Sequence, residues 1–131
     1  MVRYEYFRDQ KLIVCTLAGE VSLEEVIGLV LKINEDSDID PGIDVVTDVT
    51  GLKTPLTLED MRYMAQRSAE GLLRGKKGDK MAIVASDDLN FGLSRMYEID
   101  TSIRKNPYTV RVFRSWEEAM AWLDRAPPPE K

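Results

Sequence analysis

One recurring punctuation constrains this chain more than any other feature. A hydroxyl stands three residues ahead of a carboxylate, and the motif returns between short apolar, β-branched runs. Ser22-Leu23-Glu24-Glu25, Thr57-Leu58-Glu59-Asp60 and Ser115-Trp116-Glu117-Glu118 all carry it. The hydroxyl can accept from the orphan N–H groups of a first helical turn, while the third-position carboxylate reaches back to the cap; Asp60 does so on a shorter arm. Acidic residues there also suit the positive end of the helix dipole. Ser86-Asp87-Asp88 marks a further helix start with capping residues alone.

Apolar spacing extends each start into a helix. Leu23, Ile27 and Val30, flanked by Val26 and Ile33, give the first helix its face, and Leu58, Met61, Ala65 and Leu72 the second. Leu89, Leu93, Met96 and Ile103 are expected on the buried side of the third, and Trp116, Met120 and Leu123 on that of the last. Gly75 and Gly78 close the second helix, and Arg104-Lys105-Asn106-Pro107 closes the third with cations and a breaker.

The intervening runs read as strands. Tyr4 and Tyr6 alternate with Arg3 and Glu5, Asp9-Gln10 makes a turn, and Leu12 to Leu17 is continuously apolar, as befits a strand covered on both faces. Asp44 to Val49, Met81 to Ala85 and Thr109 to Phe113 follow. Strand–helix alternation with short links predicts an α/β domain: a mostly parallel five-stranded sheet, an antiparallel first strand and four helices. The domain is expected over residues 1–125, with 126–131 a proline-rich disordered tail. A chain of 131 residues, 44% hydrophobic and 31% charged, can bury such a core unaided.

The chemistry-bearing side chains are sparse. There is no histidine, which removes the Ser-His-Asp and Cys-His arrangements and the commonest metal ligand. Cys15 shares a strand face with Ile13 and Leu17 and is expected to be inert packing, unable to form an internal disulfide. Asp36, Asp38 and Asp40 have the spacing that opens a calcium loop, but Pro41 stands where glycine is required and Thr47 where glutamate is. An acidic solvated loop is the expectation. Arg74-Gly75-Lys76-Lys77-Gly78-Asp79-Lys80 leaves a helix rather than entering one, so a dipole-matched C-cap is expected and not a phosphate cradle. Asp87-Asp88 is read as a cap. No catalytic residue, metal site or cofactor follows from these patterns. A net charge of -5 argues against nucleic acid. The sequence has neither a signal-peptide pattern nor an apolar run near the ~20 residues that span a bilayer, and its one cysteine suits a reducing compartment, so a cytoplasmic location is expected.

The order of elements and the segment Val45-Val46-Thr47-Asp48-Val49-Thr50-Gly51-Leu52 resemble the STAS domains typified by bacterial anti-sigma-factor antagonists, the SpoIIAA-like fold. Asp48, Val49 and Thr50 match in type the Asp-apolar-Ser stretch that ends a strand in that family. At the family's spacing Thr57 falls on the serine whose phosphorylation switches partner binding. Leu56 stands where the family has aspartate, Leu58-Glu59 replaces its small residues, and Pro55 enters the approach. From about Tyr4 to Leu123 the chain also looks like an uncharacterised bacterial branch labelled STAS/Sec14-like, most clearly at Phe91-Gly92-Leu93-Ser94-Arg95-Met96-Tyr97-Glu98 and at Val110-Arg111-Val112-Phe113 followed by Ser115-Trp116-Glu117-Glu118-Ala119.

The resemblance implies a non-catalytic regulatory protein-interaction module with Thr57 as cap or phosphorylation switch. The alternative is a carrier of a small hydrophobic ligand or lipid, with Met61, Met64, Met81, Met96 and Met120 either lining a cavity or filling the core. An enzyme would need carboxylate chemistry or a metal held by Asp and Glu. Asp48, Thr50, Ser86, Arg95 and Tyr97 are the candidates for a ligand or partner groove at the carboxyl ends of the strands, with Arg95 towards solvent and Tyr97 at the boundary. The partner expected is a protein, a second copy of the chain included, or a small hydrophobic molecule.

Overall fold

In the computed structural model, described over residues 1–40, 42–54, 56–72, 79–104 and 106–125, the two opening strands form a hairpin. Strand β1 (Val2–Phe7) runs antiparallel to β2 (Leu12–Glu20), with Tyr4 opposite Cys15 and Tyr6 opposite Ile13. A short 3-10 turn over Arg8–Gln10 joins them, closed by Lys11 in the left-handed conformation (φ 51). The pleat turns Tyr4 and Tyr6 towards the core and leaves Arg3 and Glu5 exposed.

Helix α1 (Leu23–Glu35) then leads into β3 (Asp44–Thr54), α2 (Leu58–Ala69) into β4 (Asp79–Val84), α3 (Asp88–Ile103) into β5 (Tyr108–Phe113), and α4 (Trp116–Leu123) follows. Strands β2 to β5 are parallel and lie in the order β1-β2-β3-β4-β5, so each strand pairs with its immediate predecessor. The register between β2 and β3 shifts after Thr16 and again after Gly19, which adopts a positive φ of 74. Gly51 lies against this irregular stretch, where an added Cβ would come within 3.2 Å of the Ala18 Cβ.

The capping chemistry is present where the sequence places it. Ser22 and Thr57 each make the reciprocal box, with both the hydroxyl and the carboxylate arms formed. Ser115 accepts from the Glu118 N–H at 3.2 Å, and Asp87 caps α3 by accepting from the Asn90 N–H at 3.0 Å.

Alternation along each strand divides the core in two. Ile13, Cys15, Leu17, Val45, Val49, Met81, Ile83 and Val110 face the layer made by α1, α2 and α3. On the opposite face Leu12, Val46, Ala82 and Val84 meet Ala119, Met120 and Leu123 of α4. The end of α4 is tied back across the sheet by Arg125, which reaches Asp44 at 2.6 Å and the Gln10 carbonyl at 2.6 Å. At the outer edge, the Val112 N–H donates to Glu98 of α3 at 2.9 Å. No helix among the described residues is long and apolar enough to cross a membrane.

Two expectations fall outside the described residues: the Arg74 to Gly78 part of the cationic loop, and the tail over 126–131. A third is corrected. Leu89, Met96 and Ile103 do not face the core; they are exposed, as is Ile99, while Asn90, Ser94, Tyr97 and Thr101 are buried in their place. Leu93 is half-buried and Leu58, expected inside on α2, is exposed. The reason is physical. Residues 90, 94, 97 and 101 also recur at helical spacing, and their polar groups find partners within the packed layer. Tyr97 shares a hydrogen bond with Ser68 of α2 at 3.1 Å, Asn90 donates to the Leu52 carbonyl at 3.3 Å, and Thr101 donates to the Glu98 carbonyl at 2.9 Å.

Candidate functional site

Two features stand out once the layers are in place: a gap beneath the helix layer and an apolar face outside it. The gap is a cavity of about 140 Å³ between the sheet and α1, α2 and α3. Its floor is Ile13, Cys15, Leu17, Val45, Val49 and Ile83; Val26, Val30 and Ile33 of α1 form one wall, and Met61 and Met64 of α2 another. Asn90, Ser94 and Tyr97 of α3 add to it, and among the described residues no charged side chain belongs to the lining.

Polar atoms around the cavity are engaged elsewhere. Asn34, at the end of α1, donates to the Leu72 carbonyl at 2.9 Å, and Tyr97 is held by Ser68. Burial pushes the Cys15 thiol up to about 12 and raises Tyr97 against the opposing pull of its Ser68 hydrogen bond. Tyr108 is raised for the same reason, desolvation first. Only Leu29 of α1 is fully buried; Val26, Ile27, Val30 and Ile33 stay half-buried, so α1 covers the cavity without sealing it.

The outer face is built by α3. Leu89, Met96, Ile99 and Ile103 are exposed on it, and the last three form a groove with Leu58 and Met61 of α2. Arg62, Asp100 and Arg104 rim that groove, whose volume is about 250 Å³. Arg104 is paired with Asp100 at 3.1 Å. Thr57 sits at one end of this face, exposed, its hydroxyl accepting from the Asp60 N–H at 3.1 Å.

The residues singled out for a groove at the strand ends fall into two sets, Asp48, Thr50 and Ser86 where β3 meets the end of β4, and Arg95 and Tyr97 on α3. Asp48 is buried, accepting from the Thr50 N–H at 2.9 Å, the Thr50 hydroxyl at 2.7 Å and the Trp116 indole at 3.3 Å. Thr50 is itself exposed. Ser86 is exposed and its carbonyl accepts from Arg114 at 3.2 Å. Arg95 lies in solvent and pairs with Glu98 at 2.6 Å. Tyr97, expected at the boundary, is buried in the cavity wall. Of the five, only Tyr97 lines the cavity.

The methionine set divides three ways: Met61, Met64 and Met81 line the cavity, Met96 is on the outer face, and Met120 is packed behind the sheet under α4. Asp36 accepts from the Tyr4 hydroxyl at 2.7 Å and Asp40 from that of Tyr6 at 3.1 Å, so two carboxylates of the acidic loop hold β1. The Tyr4 hydroxyl keeps the Asp36 carboxyl below its ordinary range. Among the described residues no three His, Cys, Asp or Glu side chains gather as a metal site would require. The wall residues Asn90 and Ser94 escaped a reading keyed to apolar spacing, although their helical interval with Tyr97 was a visible signal.

A mixed five-stranded sheet with three crossover helices on one face and a terminal helix on the other is a SpoIIAA-like α/β fold. A solved structure that shares it is an uncharacterized protein of the DUF3478 family, with a SpoIIAA-like fold, from Shewanella loihica PV-4. The likeness spans 94% of this chain and 92% of that one, at 18% sequence identity and a TM-score of 0.58, and it concerns the fold. No protein-family model and no curated protein matches the chain.

Proposed function

We propose that this chain is a non-catalytic regulatory protein-interaction module that docks its partner on the outer face of α3 and the start of α2. The observation that carries the reading is the inverted third helix, with Leu89, Met96, Ile99 and Ile103 turned out and polar residues turned in. Contiguous apolar side chains held in water are the usual mark of a surface completed by another molecule. Thr57 adjoins Leu58 at the edge of that face, so a phosphate there would bring strong negative charge to the rim of the docking site and engage the hydroxyl that now caps α2.

The test is quantitative capture by wild type and by an Ile99→Asp/Met96→Asp variant from the same lysate, each checked for native circular dichroism. Loss of one or more stoichiometric partners in the variant is expected. Identical partner sets would refute the docking face. Thr57→Glu should weaken the same partners; unchanged binding would remove the switch and leave the module.

A second reading, binding of a small hydrophobic molecule, is supported by the uncharged cavity under α1.

A further inference from the structure

We infer that the cavity under α1 is a site for one compact, neutral, largely hydrocarbon molecule of about one ring, rather than for an acyl lipid. The inference rests on the second reading above and narrows its ligand class. The space measures about 140 Å³, close to the roughly 150 Å³ of a dry apolar cavity that accepts benzene or xenon. An acyl chain has several times the volume of a single ring and would not fit within this space.

Charge is excluded as firmly as length. Among the described residues the lining holds no Asp, Glu, Lys or Arg, and a carboxylate or phosphate placed against it would lose its hydration without a counter-charge from that lining. Even the Cys15 thiol on the floor is pushed towards its neutral form. Aromatic and thioether groups are favourable neighbours for a ring: Tyr97 and Tyr108 contribute to the wall, as do Met61, Met64 and Met81, whose polarizable side chains adjust to irregular shapes.

The cover is as distinctive as the space. Helix α1 is stiffened in its first turn by the Ser22–Glu25 capping box and tied at its other end by Asn34 on the Leu72 carbonyl. Between these ends its cavity-facing Val26, Val30 and Ile33 are half-buried, so a displacement of the helix middle admits a ligand without breaking the sheet.

The test is a size ladder of neutral and charged probes against purified protein: benzene, p-xylene, indole, naphthalene, palmitate and phosphatidylcholine vesicles. Binding is read by saturable change in melting temperature and by methyl NMR shifts of the cavity valines. The single-ring probes are expected to bind, raising Tm by roughly 5 °C at a tenfold excess over Kd. The response should fall away at naphthalene and vanish for palmitate and vesicles. Val30→Phe from α1 and, independently, Ser94→Met from α3 should each abolish it with native circular dichroism retained. If one variant fails to fold, the other and the valine shifts of the wild type still decide. Silence across the whole ladder would overturn both the inference and the ligand-binding reading. Binding of palmitate or vesicles alone would leave that reading intact and overturn the compact, neutral class assigned here.

Discussion

The orientation of α3 determines the proposed docking face, and a matched pair of lysine substitutions tests it. Ile103 is 77% exposed, whereas Thr101, two residues earlier, is 3% exposed. For Ile103→Lys only about a quarter of the ~1.5–3 kcal/mol of full side-chain burial is at stake, roughly 0.5 kcal/mol. Lysine also has the better helix propensity, and a cation in the last turn suits the dipole, which together return a few tenths. The net change should lie within ~0.5 kcal/mol of zero. Thr101→Lys must instead bury or expel an ammonium and loses the bond to the Glu98 carbonyl; a loss of about 2–4 kcal/mol is expected. Urea titrations followed by Trp116 and Trp122 fluorescence and by far-UV circular dichroism give both numbers, with unchanged m-values as the control. If Ile103→Lys destabilised by more than Thr101→Lys, the apolar stripe would be the buried one after all, and the docking face would vanish with it.

Three further outcomes are expected. Because the native Cys15 thiol titrates near 12 instead of the ordinary 9.0, the native state keeps a proton that the unfolded chain releases; stability should be flat in this group below pH 8 and fall as pH rises past 9, by up to ~1.4 kcal/mol per pH unit. Cys15→Ala should flatten that first alkaline slope, with the raised Tyr4, Tyr97 and Tyr108 taking over above 10, and identical slopes for variant and wild type from pH 7 to 10 would contradict the assignment. Asp48→Ala removes the carboxylate that accepts from the Thr50 N–H and the Trp116 indole and should cost about 2–3 kcal/mol in urea unfolding, whereas a loss under ~0.5 kcal/mol would mean those bonds are dispensable. Thr57→Ala removes a helix cap and should cost about 1 kcal/mol by the same assay, Thr57→Ser restoring most of it.

Legibility in the sequence followed the range of the interactions concerned. The helix starts at Ser22, Thr57, Asp87 and Ser115 are set by groups within three residues of one another, and a local pattern states them fully. Strand direction was readable because strand–helix alternation with short links at Leu12–Leu17, Asp44–Val49 and Met81–Ala85 favours parallel pairing. The facing of α3 was not, since that helix carries an apolar stripe and a polar one, and which of them enters the core depends on Ser68 and Leu52, far away in the chain. The cavity was still less visible. A space is a property of how far α1 stands from the sheet, and no single residue encodes that distance; methionines only hint at it, and Met96 and Met120 show how weak the hint is.

The sequential strand order carries a consequence for how the chain comes into being. Each strand after the first, as it leaves the ribosome, finds one hydrogen-bonding neighbour already synthesised. The sheet can therefore grow outward from the hairpin at the pace of translation, one crossover at a time. The last helix, arriving after the fifth strand, has the single task of closing the bare side.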